Sequence, residues 1–470
     1  MQIIKISCIV SSYMANFGNG WQMYINFNLD SQAKRKGRQM FRNSCRIFLL
    51  EVVFVFACAF STSVYAGGYA IPPQTAKAAS MGGAATAGVN DPSAVYVNPA
   101  ALTSIDGNQT MAGLTYVNTI SSIRNSGVKS RNLHDDDFLP NFFANYHIPS
   151  TNLSLGIGTY SPYGLATSYN PNAFTRFAAI RSELRTVFVT PSIAWEALPY
   201  LSLGGGVSFV HSSALLSRAI FFGPFGDGKI RLTDTADTYG YNVGVLFKPT
   251  TQIGMGLTYR SKVNLRFDSA DVAFVDAAGA GGTLTRTKAT GIDIPLPSTI
   301  NFGIHWQVTP AWGLEFQYDF VRWSEFEDLE GRFPTPLPGL LGALPISGFF
   351  IPQNWKDAST LRFGTSYKLN DSLEVRAGLA LEETPIPAKT LGPVIPGADY
   401  LSLTAGLGYK WNAISLDVGY MAVFYKTRTV NNTVLETGGD PNSLPFPNVQ
   451  GKDKFRIFQN LIGLHAKYTF

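Results

Sequence analysis

The side chains best suited to chemistry are few and far apart in this sequence. Its five histidines, His134, His147, His211, His305 and His465, are scattered, and none accompanies a nucleophile motif with an orienting polar group. A lipase-like centre is therefore not expected. The run His134-Asp135-Asp136-Asp137 carries donors for a cation, but it reads better as a solvated loop turn. Gly279, Gly281 and Gly282 lack the lysine and the serine or threonine of a phosphate loop, and read as loop flexibility. All three cysteines, Cys8, Cys45 and Cys58, precede residue 67, so the remainder has neither a disulfide nor a cysteine metal site. No enzyme, metal site or cofactor is expected.

The charges point the same way. Net charge is +5, but residues 1–66 hold seven of the 37 Lys/Arg and two of the 32 Asp/Glu, leaving 30 of each sign in the rest. A neutral remainder gives no reason to expect nucleic acid as a ligand. What distinguishes it is 45 Gly, 33 Phe and 21 Tyr with only 15% charged residues, a balance that suits many short strands joined by turns.

Those strands are visible as two-residue alternation. It occurs in Leu201, Leu203, Val207 and Phe209, and again in Trp312, Leu314, Phe316, Tyr318 and Phe320. Fourteen such stretches begin near Gln109, Asn141, Leu153, Thr186, Leu201, Thr238, Ile253, Ile300, Gly313, Thr360, Leu373, Tyr400, Ile414 and Arg456. Each is about as long as a tilted membrane-crossing strand, roughly 9 to 11 residues. Short turns at 248–251, 309–312, 369–371 and 411–413 alternate with long loops, as in outer-membrane barrels with their short periplasmic turns. One stretch sets Leu373, Val375, Ala377, Leu379 and Leu381 against Glu374, Arg376 and Glu382, apolar toward lipid and charged toward the lumen, where Arg362 and Asp417 also belong. The expected fold is an all-β, 14-stranded antiparallel transmembrane barrel over residues 109–470, most simply a monomer in outer-membrane lipid.

Ahead of it, Arg42 and Arg46, the apolar stretch Ile47 to Phe60 and Val64-Tyr65-Ala66 make residues 40–66 a secretory signal cleaved before Gly67. Residues 1–39 have no place in such a signal, and translation is expected to begin at Met40. Residues 67–108 do not alternate, are rich in Gly and Ala and are broken by Pro72, Pro73, Pro92 and Pro99. A barrel this wide has a lumen that wall side chains do not fill, so this segment is a natural plug, with a periplasmic tail as the alternative.

The runs Gly67-Gly68-Tyr69, Ser80-Met81-Gly82-Gly83-Ala84 and Asp91-Pro92-Ser93-Ala94-Val95-Tyr96-Val97-Asn98-Pro99-Ala100-Ala101-Leu102 resemble the N-terminal hatch of the FadL long-chain fatty acid transporters. The resemblance continues through Ser161-Pro162-Tyr163-Gly164-Leu165-Ala166-Thr167, Arg181-Ser182-Glu183-Leu184, Leu257-Thr258-Tyr259-Arg260-Ser261, Trp323-Ser324-Glu325-Phe326, Asn354-Trp355-Lys356-Asp357 and Glu382-Glu383-Thr384-Pro385-Ile386-Pro387. It implies a barrel plugged by a hatch whose hallmark is Asn98, Pro99 and Ala100. It also implies uptake of a hydrophobic ligand through outer loops, an inner pocket and an opening where the third strand is kinked, at Pro162 and Gly164. Tyr69 and Glu382 match the family's lumenal pocket, with Glu where Asp is usual.

The loops are unusually apolar for chain facing water: Leu215, Leu216, Ile220, Phe221, Phe222 and Phe225 in the third long loop, Val272, Phe274 and Val275 in the fourth, and Leu337, Leu340, Leu341, Leu344, Ile346, Phe349 and Phe350 in the fifth. Packing on one another and binding an apolar ligand both explain this, and the resemblance favours the third and fourth as a landing groove. Arg218, Arg260 and Lys356 are candidate partners for a fatty acid carboxylate, none of them by motif. Rival expectations are a channel for toluene-like hydrocarbons and a surface adhesin or structural barrel.

Overall fold

A computed structural model describes residues 12–16, 21–25, 68–71, 73–134, 136–221, 225–275, 284–337, 346–431 and 452–470. The chain divides into two units, Met1–Ser63 and Val64–Phe470. Within the first, Ser12–Asn16 and Trp21–Ile25 pair as an antiparallel hairpin. The expected signal, residues 40–66 with Gly67, lies outside the described residues, as do Asp135, Phe222, Leu340, Leu341, Leu344, the three cysteines and Gly279, Gly281 and Gly282.

The second unit is a closed antiparallel barrel of fourteen wall strands. They are β1 (Gln109–Asn125), β2 (Asp136–His147), β3 (Leu153–Tyr160), β4 (Arg181–Leu198), β5 (Leu201–Phe221), β6 (Asp227–Phe247) and β7 (Ile253–Arg260), followed by β8 (Thr299–Gln307), β9 (Trp312–Val321), β10 (Ala358–Lys368), β11 (Leu373–Glu382), β12 (Tyr400–Trp411), β13 (Ile414–Tyr425) and β14 (Lys452–Thr469). Strand β14 returns to β1, from Thr469 opposite Gln109 to Lys454 opposite Arg124, so the ladder closes. Closure pairs the backbone groups that lipid cannot hydrogen-bond.

The two faces follow from the alternation. Leu401, Leu403, Leu407, Leu416, Val418 and Leu464 are exposed outward, whereas Arg362, Arg376, Glu382 and Asp417 are buried inward. Near the short turns the outward positions are aromatic: Trp195, Trp306, Trp312, Tyr367, Tyr409 and Trp411, the last 64% exposed. This is the girdle that amphipathic rings form at a lipid–water boundary. The inward charges pair: Arg376 Nη1 lies 2.6 Å from Asp417 Oδ1, and Arg362 Nε 2.6 Å from Asp319 Oδ2.

Three strands start five or more residues earlier than alternation suggests. Strand β6 begins at Asp227 rather than Thr238, because its hairpin with β5 keeps pairing to the tip, Asp227 opposite Phe221. The segment read as the third long loop is thus a continuation of the wall. Ala270–Val275 extends it further, pairing Val275 with Lys229 through Asp271 with Thr233. Here Ile230 and Leu232 point inward between exposed Lys229 and Arg231, a water-facing hairpin that reads as loop. Similarly, β2 begins at Asp136 rather than Asn141, running through Pro140, and β4 at Arg181 rather than Thr186.

Residues 68–108 contact wall strands all round the ring. They fold into two short helices, α1 (Ala76–Ser80) and α2 (Ala94–Val97), and a 3₁₀ turn over Pro99–Ser104. Small residues make this possible on both sides. Wall glycines paired in register, Gly204 with Gly244, Gly256 with Gly303, Gly364 with Gly378 and Gly419 with Gly463, present bare backbone to the segment. A side chain at Gly419 would strike the Ala76 carbonyl, and one at Gly378 the backbone of Met81 and Gly82.

Candidate functional site

A segment built of Gly and Ala has few side chains with which to anchor itself, so its backbone is held by wall side chains. Gln317 Oε1 accepts from the Ala85 and Thr86 amides at 2.8 and 3.0 Å, and Glu315 Oε1 accepts from Ala87 and Gly88 at 2.8 and 3.0 Å. His465 Nδ1 accepts from Ala76 N at 3.0 Å. The Asn-Pro-Ala motif acquires a physical reason. Asn98 Oδ1 caps the 3₁₀ turn through Ala100 N at 3.1 Å, Pro99 starts it with a preset φ, and Asn98 Nδ2 reaches the Val245 carbonyl of β6 at 3.2 Å. Ala100 is fully buried, its amide against Gly204. Within the segment, burial works against ionisation of Asp91, but Lys77, Lys467 and hydrogen bonds from Ser93 outweigh it and hold the carboxyl below its usual range.

The wall is interrupted between β2 and β3. Their ladder runs only from Phe142 opposite Thr159 to His147 opposite Ser154. The remainder of β2, Asp136 to Asn141, pairs with β1 alone. After Tyr160 the third strand breaks and resumes as Gly164–Ser168, which pairs only with β4. Tyr160 lies opposite Phe188 and Gly164 opposite Arg185, so Ser161, Pro162 and Tyr163 stand against two residues of β4, a surplus of one. Such a surplus bends a strand, and Pro162 cannot donate to a ladder. Pro140, also without an N–H, sits on the run of β2 that has no partner in β3.

The N-terminal segment occupies both lips of this interruption. Gly164 N donates to the Tyr69 carbonyl at 2.9 Å and Ile71 N to the Pro162 carbonyl at 2.8 Å. Gln74 reaches across: its side-chain oxygen accepts from Ser161 N at 3.1 Å, and its carbonyl from Asn141 Nδ2 at 2.7 Å. Farther along, Leu133 N donates to Ser168 O at 2.7 Å.

Behind the lips lies a cavity of about 100 Å³, lined by Pro162 and Tyr163 from the break, Tyr96 and Gln74 from the N-terminal segment, Trp323 from the turn after β9, and wall residues including Arg260, Arg362 and Glu382. Tyr69 does not line it but backs it. Its ring lies 4.8 Å from that of Trp323, 5.7 Å from Trp355, 6.0 Å from Phe326 and 6.3 Å from Tyr163, and its hydroxyl donates to the Pro295 carbonyl. Burial, reinforced by Tyr163, pushes the Tyr69 phenol well above its ordinary pKa, so it stays a neutral donor. Glu382 accepts from Tyr400 Oη and from Arg362 Nη2 at 3.3 Å, and Arg362 Nη1 donates to the Gly82 carbonyl at 3.1 Å. The lumenal acid therefore meets the N-terminal segment through Arg362.

That arrangement has an energetic consequence. Arg362→Met leaves Asp319 and Glu382 buried without their cation, and a broken buried pair costs about 3–5 kcal/mol. The expected result is a lower urea midpoint for unfolding of the purified barrel. Arg362→Lys should recover part of the loss, since a point charge replaces the fork.

Of the expected groove, the structure brings only part together. Leu216 lines an outer cavity of about 40 Å³ with Arg218, Ile230, Leu232, Phe333 and Phe349. Ile220, Val272 (1% exposed) and Phe274 (0%) are instead packed into the core that the extended hairpins form over one another. Leu215 is half-buried on β5, Phe225 packs against the core edge, and for Phe221 only the backbone is described. Among the greasy loop residues whose side chains are described, self-packing thus accounts for most: pairing carried beyond the alternating stretches gives them a face to bury.

Residues 57–470 match the family described as outer membrane protein transport protein (OMPP1/FadL/TodX). The chain belongs to this family. It is accordingly an outer-membrane protein of a family of transport proteins. The long-chain fatty acid transport protein of Escherichia coli O6:H1 is 25% identical over 370 residues, covering 70% of this chain and 80% of that one. A Pseudomonas aeruginosa FadL homologue has the same fold, with a TM-score of 0.73 at 20% identity over 86% of this chain and 100% of its own. So does the Pseudomonas putida toluene transporter TodX, with a TM-score of 0.67 at 18% identity over 87% and 100%.

The family member's inner aromatics were legible only in part. Trp323, Phe326 and Trp355 lie in segments that carried the resemblance, yet nothing local indicated that they converge on Tyr69. Gln74, Asp319 and Tyr400 belong to no motif, and their roles come from pairing across the lumen.

Proposed function

We propose that this family member takes up long, apolar molecules, long-chain fatty acids first, by capture at the outer cavity, transfer to the central cavity and lateral exit at the break in the third strand. The observation that carries this reading is the coincidence of two features in the same residues: Pro162 and Tyr163 both interrupt the wall ladder and line the central cavity. A methylene stays out of water with a gain of about 0.8 kcal/mol, so a path from cavity to bilayer keeps a long chain dry where an aqueous pore exposes it. The fatty acid named for the Escherichia coli relative supports the cargo. Residues 67–108 act as the hatch, the signal is removed after Ala66, residues 1–39 lie upstream of a native start at Met40, and the barrel works as a monomer in outer-membrane lipid, with no catalytic step.

A second reading, uptake of monoaromatic hydrocarbons, is favoured by the aromatic cluster around Tyr69 and by the small volume of the cavities. Binding of radiolabelled oleate to the purified protein, with toluene as competitor, separates the two. Saturable oleate binding that toluene displaces only weakly is expected. Absence of saturable oleate binding, with toluene still bound, sinks the fatty acid reading.

A further inference from the structure

The central cavity holds two guanidinium groups in opposite situations. Arg362 is engaged by two carboxylates, Asp319 at 2.6 Å and Glu382 at 3.3 Å. Arg260, half-buried on β7, has no carboxylate of the described residues within 4.0 Å. It is nevertheless held in place. One N–H donates to the Tyr96 carbonyl at 2.7 Å, and its Cζ lies 4.3 Å from the centroid of the Tyr96 ring and 5.8 Å from that of Tyr160. A guanidinium has five N–H donors, and a carbonyl with two aromatic faces orients the charge without neutralising it. A fixed cation removed from bulk water and lacking a counter-charge is a ready partner for an anion, which it binds by charge-assisted hydrogen bonds.

We propose that Arg260 is the lumenal anchor for the carboxylate head of the transported amphiphile. The inference rests on the proposed uptake of fatty acids and deepens it, because it makes the central cavity select an anionic head over a neutral one. The surroundings suit both ends of such a molecule. Tyr163 and Trp323 supply aromatic surface for the first methylenes, while Arg260 faces the same space. The other two candidate bases are placed elsewhere: Arg218 lines the outer cavity, and Lys356 is exposed. Asp319 and Glu382 also line the central cavity, but both are engaged by Arg362, and Glu382 by Tyr400 as well.

The test compares oleate with methyl oleate, which keeps the tail and removes the charge, in equilibrium binding to full-length wild type, Arg260→Gln and Arg260→Lys. Loss of a charge-assisted contact predicts that Arg260→Gln binds oleate about tenfold more weakly or worse, with methyl oleate unchanged. Arg260→Lys should fall between, since it keeps the charge without the fork. Equal oleate affinity in wild type and Arg260→Gln overturns the proposal, as does a parallel loss of both ligands. If Arg260→Gln does not assemble, Arg260→Lys carries the test: an oleate-specific loss supports the anchor, and unchanged oleate affinity overturns it. Failure of wild type to bind either ligand rejects the transport reading itself, a different outcome from any of these.

Discussion

Deleting Pro162 is expected to leave a folded barrel that binds oleate and no longer transports it. The third strand carries one residue too many between Tyr160, opposite Phe188, and Gly164, opposite Arg185. Removing one of the three intervening residues restores equal counts on β3 and β4, and with them a continuous strand able to pair with Asp136 to Asn141 of β2. A closed ladder leaves the ligand only an aqueous route. Exposing even four methylenes on the way costs about 3 kcal/mol, so uptake should fall by roughly two orders of magnitude. The measurement is uptake of labelled oleate into cells producing wild type or variant, alongside binding by the purified proteins. Binding retained with uptake lost places the defect at the exit. Uptake at wild-type rate from a variant with heat-modifiable gel mobility refutes lateral exit.

The second large effect concerns the belt of paired glycines. Gly419 and Gly463 face each other across β13 and β14, and both lie against Ala76. Gly419→Leu puts a branched side chain where the Ala76 backbone now sits. The segment is the softer partner, because the wall is locked by its closed ladder, so the segment moves. Overpacking of this kind costs about 1–3 kcal/mol, too little to unfold a closed barrel but comparable to the few hydrogen bonds that hold α1. The expected outcome is a barrel that assembles normally and leaks small polar solutes, read as a rise in single-channel conductance or antibiotic sensitivity. Val418→Leu, one residue away on the exposed outer face, should behave as wild type. An unaltered conductance for assembled Gly419→Leu would falsify the idea that this segment seals the lumen.

These two sites differ in how far the sequence announces them. Pro162 and Gly164 stand out as ladder breakers at the end of the third alternating stretch. Nothing near them shows that Tyr69, Ile71 and Gln74 supply the replacement hydrogen bonds, because those partners come from the N-terminal segment, far from them in sequence. The glycine belt is similar. Each glycine is visible, but that Gly256 and Gly303, or Gly364 and Gly378, stand side by side depends on register between strands, which a one-residue slip would destroy. The apolar residues of the outer loops show the opposite failure. Val272 and Phe274 read as a landing surface, and the hairpins they extend turn them into core.

By itself, the sequence determined the class of fold, the two faces of the wall and the presence of a non-alternating segment before it. Those are local properties: a strand between lipid and lumen must repeat every two residues, and a chain that must cross at close quarters must be small. The tertiary structure alone decided which groups meet inside. Arg362 finds Asp319 and Glu382 from separate strands, Arg260 lines the same cavity with no such partner among the described residues, and the kink finds its hydrogen bonds in the N-terminal segment. A two-residue period states which way each side chain points, and only closure of the ring states what stands opposite.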